Sequence, residues 1–276
     1  MLGIEFKNIE KYLIEHISVN NGRFWIIILN YYIKTMFKAI LRKIKKSIWK
    51  HFGIQEIFQI VDATHNGLLF SQAILDCLWL KNKGFSPSAF GWGMDALAMH
   101  NLFRILEDVK PKSILEFGLG QSSKMVHQYA DFYKANALTI EHDKNWIDYI
   151  KIHAPQINFN IQQADLEEVT INGIKSLSYK NPENSWIVGE DTLIIVDGPF
   201  GSDHFSRPQV LDFVLNLGKN FCIFMHDSER LGEQETLLLL CEKLSQNGIE
   251  FLRRDYGAVR LHTVICSKSW KFLTSI

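Results

Sequence analysis

Ile114-Leu115-Glu116-Phe117-Gly118-Leu119-Gly120-Gln121-Ser122-Ser123 reads as a buried strand, a glycine turn and the first turn of a helix, with Ser122 or Ser123 placed to cap that helix. A strand that passes straight into a helix through glycines leaves bare backbone at the carboxyl edge of a sheet, where a ligand can come close. Taken alone the turn is not diagnostic, because any tight strand-to-helix connection can use one. The sequence on either side decides how it is read.

Downstream, β-rich runs alternate with amphipathic helical ones. Ser113–Phe117 predicts a first strand, Ser122–Phe132 a helix, Ala137–Glu141 a second strand, Asn145–His153 a helix and Asn158–Gln162 a third strand. Thr192–Val196 predicts a fourth strand, Arg207–Asn216 a helix, Phe221–Met225 a fifth strand and Glu233–Gln246 a helix. This alternation predicts parallel strands with helices on both faces. The end differs: Glu250–Arg254 and Val259–Cys266 are joined only by Asp255-Tyr256-Gly257-Ala258, too short for a helical crossover, so they must pair as an antiparallel hairpin. The expected fold is α/β, a doubly wound, mostly parallel seven-stranded sheet with a C-terminal antiparallel hairpin, occupying residues 95–276.

Upstream, residues 1–94 predict a helical N-terminal extension. A helix is expected from about His65 to Lys81, then a turn-rich loop from Lys83 to Gly93, then a helix from Asp95 to Asp108 that Lys110-Pro111-Lys112 stops. Trp92 in that loop could stack on a sugar or adenine, or simply fill a gap in the core. Earlier still, Ile33, Met36, Phe37, Ile40, Leu41, Ile44 and Ile48 recur at helical spacing opposite Lys34, Lys38, Arg42, Lys45 and Lys46, a basic amphipathic helix over about 31–50. Such a helix can lie on an anionic membrane surface, with Trp25, Tyr31, Tyr32 and Trp49 near the headgroups. It can equally pack on the enzyme itself or on a twin subunit, with its lysines in water.

Positions beyond the strand ends carry the chemistry. Glu141 ends the second strand about 20 residues after the glycines, where a carboxylate can accept both ribose hydroxyls of an adenosine ligand. Asp165 follows the third strand and could meet the exocyclic amine of adenine. The fourth strand runs into Asp197-Gly198-Pro199-Phe200-Gly201 and the fifth into His226-Asp227. In a doubly wound sheet these strands are neighbours, so Asp197, His226 and Asp227 should meet across one cleft, with Asp203, His204 and Arg207 on its rim. Asp197 or His226 can serve as general base toward a substrate hydroxyl. Alternatively, Asp197 and Asp227 can hold a divalent cation such as Mg²⁺ that acidifies the hydroxyl, or either acid can merely cap the turn that follows it.

Taken together, Glu116 opening the glycine loop, Glu141 ending the next strand, a third acid at Asp165 and the terminal hairpin resemble the class I S-adenosylmethionine-dependent methyltransferases over about Asp95 to the C-terminus. The resemblance implies that Glu116, Gly118, Gly120 and Ser122 bind the methionine part of S-adenosylmethionine and that Glu141 binds its ribose. Ser122 stands where the family has a third loop glycine. The Asp-Gly-Pro after the fourth strand and the His-Asp after the fifth are similar to methyltransferases of uronic acids and other sugars, which implies O-methylation of a carbohydrate or small-molecule acceptor.

Three other readings compete. A nicotinamide-dependent sugar enzyme could use the same turn, but it predicts a neutral residue at Glu116, where a carboxylate would repel the pyrophosphate, and another parallel unit in place of the hairpin. A nucleic-acid methyltransferase could grip phosphates with the basic leader, although no Asn-Pro-Pro-Tyr-type sequence follows the fourth strand. The third is an inactive methyltransferase-fold scaffold.

Composition sets the outer bounds. With 47% apolar and 22% charged residues the chain can bury a core. Its thirty basic and thirty acidic residues hide an asymmetry: up to Phe52 there are ten Lys or Arg against three Glu. Cys77, Cys222, Cys241 and Cys266 show neither a CxxC pair nor metal-ligand spacing, which points to a reducing cytoplasm. The apolar run Phe24 to Ile33 is too short to cross a bilayer, which needs roughly 20 residues. The expected location is cytoplasmic, with the basic helix able to hold the chain at the inner face of the membrane.

Overall fold

A computed structural model describes residues 54–75, 77–80, 93–181, 186, 188–257 and 260–276. The expected helix at 31–50 and Trp92 lie outside the described residues.

Seven strands form one sheet. Five run parallel through the middle and one side: β1 (Ser113–Phe117), β2 (Asn136–Glu141), β3 (Ile161–Gln163), β6 (Thr192–Val196) and β7 (Phe221–His226). The hairpin β8 (Phe251–Tyr256) and β9 (His262–Ser267) completes the other side through antiparallel pairing of β9 with β7. The order is β3-β2-β1-β6-β7-β9-β8, so the sequence-based fold class holds. The chain reverses direction across the sheet between β1 and β6, which is where doubly wound sheets open a ligand crevice.

Central strands are apolar on both faces because helices cover both. Alternate residues divide between two cores: Ile114, Leu193, Ile195, Cys222 and Phe224 belong to one, and Leu115, Phe117, Ile194, Val196, Ile223 and Met225 to the other. Helices α2 (Ala96–Val109) and α3 (Gln121–Tyr133) pack into the first core, while the 3₁₀ helix Pro208–Asn216 and α5 (Leu231–Gln246) pack into the second. Helix α4 (Lys144–His153) supplies a smaller cluster through Ile147 and Ile150. Helix α1 (Ile54–Ala73) begins before its expected start, and Phe70, with Trp79 and Leu80 beyond it, joins the first core.

Local chemistry explains where the helices start and stop. Asp95 caps α2 by accepting from the Ala98 amide at 2.9 Å. At the other end Lys110 turns left-handed with φ 54° ahead of Pro111. Arg207 is also left-handed at φ 58°, so the helix expected over Arg207–Asn216 starts at Pro208, and it is a 3₁₀ helix.

One element was not anticipated. β4 (Leu166–Ile171) and β5 (Ile174–Tyr179) pair as a separate antiparallel hairpin between β3 and β6. Its two-residue turn is Asn172-Gly173, with φ 50° and 80°, the positive pair that type I′ hairpins require. Among the described residues no helix is long and apolar enough to cross a membrane.

Candidate functional site

Gly118 and Gly120 are glycine for different reasons. Gly118 has φ +95°, and a Cβ there would sit 2.9 Å from the Gly198 amide nitrogen and 3.1 Å from the Asp197 carbonyl carbon, so the ends of β1 and β6 touch through bare backbone. Gly120 is extended at φ −161°, which any residue adopts, and nothing lies within 4 Å of where its Cβ would be. The fold therefore gives Gly118 a structural reason and Gly120 none. The space in front of Gly120, at the N-terminus of α3, is the room a ligand would use.

Glu116 sits beneath this loop. Cross-strand register places it opposite Thr139, whose hydroxyl donates to its Oε2 at 2.8 Å, and the Ser122 hydroxyl donates to its Oε1 at 2.7 Å. Full burial pushes its pKa up to about 7 against those hydroxyl bonds. The network continues to His127, which burial holds neutral by lowering its pKa to about 4. The Asn160 amide donates to His127 Nδ1 at 3.4 Å, leaving Nε2–H to donate to Thr139 Oγ1 at 2.9 Å. Both Glu116 and Ser122 are thus spent on holding the loop. The expected repulsion between Glu116 and a pyrophosphate loses its force, because the carboxyl is enclosed.

Glu141 is buried at the end of β2 and accepts from the amides of Leu119 at 3.0 Å, His142 at 2.7 Å and Asp143 at 2.9 Å. The Leu119 bond fastens the carboxylate directly to the glycine loop. Trp146 reinforces the same loop, its indole N–H donating to the Leu119 carbonyl at 2.7 Å. Asp165 is exposed just beyond β3, and its carbonyl accepts from the Lys180 amide at 2.8 Å. Its neighbour Ala164 donates its amide to the Glu141 carbonyl at 2.9 Å, so Asp165 follows directly on the end of β2.

Val196 pairs with Met225, so Asp197 and His226 come level at the ends of neighbouring strands. His226 Nδ1 donates to Asp197 Oδ1 at 2.9 Å, while its Nε2 is buried without a hydrogen-bond partner. Asp227 turns left-handed at φ 58° and meets three arginines: Arg260 at 2.8 Å, Arg230 at 2.8 Å and Arg207 at 3.4 Å. Burial alone would raise its pKa, but His226, Arg207 and Arg260 outweigh that and hold it at about 2.

Arg207 is not the rim residue that its place in the sequence suggests. It is buried, donating to the carbonyls of His226 at 2.8 Å and Pro199 at 3.2 Å, and lies 3.7 Å from the buried Glu233. Its guanidinium ties the loop after β6 to the end of β7. Asp203 is exposed, and His204 faces Glu235 at 3.1 Å. Sequence reasoning missed Arg230, Arg260 and Glu233: Arg260 reaches Asp227 and Glu233 reaches Arg207 only through tertiary structure, whereas Arg230 stands three residues from both Asp227 and Glu233, a spacing the sequence does show.

Donor atoms of Asp197, His226 and Asp227 lie within 4.8 Å of one another, close enough for a cation. The surroundings do not suit one. Both oxygens of Asp227 already face guanidinium groups, and a dication placed there would be repelled by three fixed positive charges.

No protein-family model matches the chain. No curated protein matches it either. Loose overlays exist with solved structures: an S-adenosylhomocysteine-bound methyltransferase from Podospora anserina (14% identity, TM-score 0.41, covering 62% of this chain and 78% of that one), a methyltransferase from Pyrococcus furiosus (15%, 0.40, 74% and 96%), and a precorrin-6y C5,15-methyltransferase from Geobacter metallireducens (10%, 0.40, 68% and 96%). Likenesses this distant do not transfer an activity, so the geometry of the site has to carry the function.

Proposed function

We propose that this chain is an S-adenosylmethionine-dependent methyltransferase acting on an oxygen of a small-molecule or carbohydrate acceptor. The observation that carries the reading is Gly120: a glycine the fold does not need, facing open space at a helix N-terminus, one residue from the amide that holds the strand-end acid Glu141. Gly118, Gly120 and the α3 N-terminus would hold the methionine end, and Glu141 would hold the ribose hydroxyls in exchange for some of its present amide donors. When bound, the sulfonium supplies a methyl group already activated for displacement, so positioning accounts for most of the acceleration.

The chain's own chemistry then lies in Asp197 and His226. Asp197 accepts from Nδ1, which fixes the tautomer and leaves Nε2 as a lone pair for the proton of an acceptor hydroxyl. His226 is fully buried, so the acceptor reaches Nε2 only as the surrounding loops give way. No step runs through a divalent cation.

Calorimetric titration with S-adenosylhomocysteine, with NAD as control, tests the reading. Wild-type protein is expected to bind the homocysteine compound and not NAD, and Glu141→Ala to weaken that binding at least tenfold, two lost hydroxyl bonds to a carboxylate being worth about 1.5–3 kcal/mol each. Binding of NAD alone, or binding indifferent to Glu141→Ala, would overturn it.

A further inference from the structure

The unanticipated hairpin buries a side chain beneath the loops that follow β1 and β6. Tyr179 ends β5, and its ring lies flat against Phe117 at 5.9 Å and 20° between planes, with His142 at 6.0 Å on another side. A Cβ on Gly198 would be 2.7 Å from the Tyr179 hydroxyl and 2.7 Å from the Gly118 Cα. The hydroxyl therefore sits where the loops after β1 and β6 cross, beside the proposed place for the amino-acid end of the ligand. The hairpin is held there by Ser176, whose hydroxyl donates to the Phe205 carbonyl at 2.7 Å.

This hydroxyl is buried and has no hydrogen-bond partner. Glu141, Asp197, Glu116 and Arg207 are the charges that act on it, and each is committed elsewhere. Burial, first, and the nearby acids push its pKa well above the ordinary phenol value, so the oxygen keeps its proton. A buried hydroxyl left unpaired is unfavourable, and a ligand acceptor would pair it.

We propose that Tyr179 is a ligand-binding residue whose hydroxyl donates to the carboxylate of the ligand's amino-acid end. The inference rests on the methyltransferase reading. That end of the ligand is zwitterionic: its ammonium suits a cleft rich in carboxylates, and its carboxylate needs a donor that the same carboxylates cannot provide. Beside the backbone N–H groups of the α3 N-terminus, the Tyr179 hydroxyl is the buried side-chain donor without a partner, among the described residues, that touches the Gly118–Gly198 crossing. A phenol so placed discriminates in favour of ligands that retain the amino acid.

The test compares S-adenosylhomocysteine with 5′-methylthioadenosine, which keeps the nucleoside and lacks the amino-acid end, on wild-type protein and Tyr179→Phe by calorimetry. The substitution keeps the ring on Phe117, so the fold is retained. Tyr179→Phe is expected to weaken S-adenosylhomocysteine about tenfold or more and leave 5′-methylthioadenosine unchanged. Equal loss for both compounds, or no loss for either, overturns the role of Tyr179 even where Glu141→Ala still abolishes binding. Wild-type protein that binds neither compound overturns the methyltransferase reading, and this inference with it.

Discussion

Glu116 is the residue whose protonation the fold controls most plainly. Its pKa rises from 4.5 to about 7 because burial disfavours the ionised form. A raised acid is protonated in the folded chain and ionised in the unfolded one between those two values, so stability is greatest below pH 4.5 on this account and falls as pH rises through 7. The span corresponds to roughly 3 kcal/mol. Glu116→Gln resembles the protonated form and should flatten the fall in urea-unfolding stability between pH 5 and 8. An unchanged slope would mean that the carboxyl titrates elsewhere. His226 makes a different kind of prediction: His226→Gln should lower turnover about 10²–10⁴-fold while S-adenosylhomocysteine affinity stays near wild type, because the imidazole acts on the acceptor's proton. A change confined to cofactor affinity would remove it from that role.

At the scale of elements, the junction of β6 and β7 depends on Asp227 answering three arginines. Asp227→Ala leaves half-buried Arg260 without its carboxylate and buried Arg207 with only the more distant Glu233 and Asp197, a loss at the lower end of the roughly 3–5 kcal/mol that breaking a buried pair costs. Urea unfolding should show that loss as a lower midpoint with an unchanged slope. The same contacts set an acid limit. The folded pKa of about 2 lies below the ordinary 3.8, so this contribution, roughly 2 kcal/mol, is complete above pH 4 and disappears as pH falls through 2.

Elements also show what the sequence made legible. The strands were readable because those buried on both faces are short continuous apolar runs, and the terminal hairpin because four residues cannot hold a crossover helix. The β4–β5 hairpin, and Tyr179 with it, is hard to read although Asn172-Gly173 is a strong hairpin signal, since its flanks Glu167, Glu168 and Lys175 dilute the alternation that marks a half-buried strand. Asp197 meeting His226 followed from strand adjacency, whereas Arg207 and Arg260 reach Asp227 along loops whose paths only the folded chain reveals, and Arg230 is its neighbour three residues on.

For the whole molecule, ligand binding and stability are one quantity seen twice. A ligand that binds only the folded chain stabilises it by about 2.7 kcal/mol at a hundred times its Kd, which raises the Tm of a domain of this size by roughly 5–10 °C. The fold does not need Gly120 and the proposed site does. The most direct measurement is therefore the Tm of wild-type protein and of Gly120→Val, each with and without saturating S-adenosylhomocysteine. The geometry predicts that the two proteins melt at nearly the same temperature without ligand and that only wild type is shifted upward by it. A Gly120→Val protein shifted as far as wild type, or a wild-type protein that S-adenosylhomocysteine leaves unmoved, would contradict the assignment of this loop as a cofactor cradle.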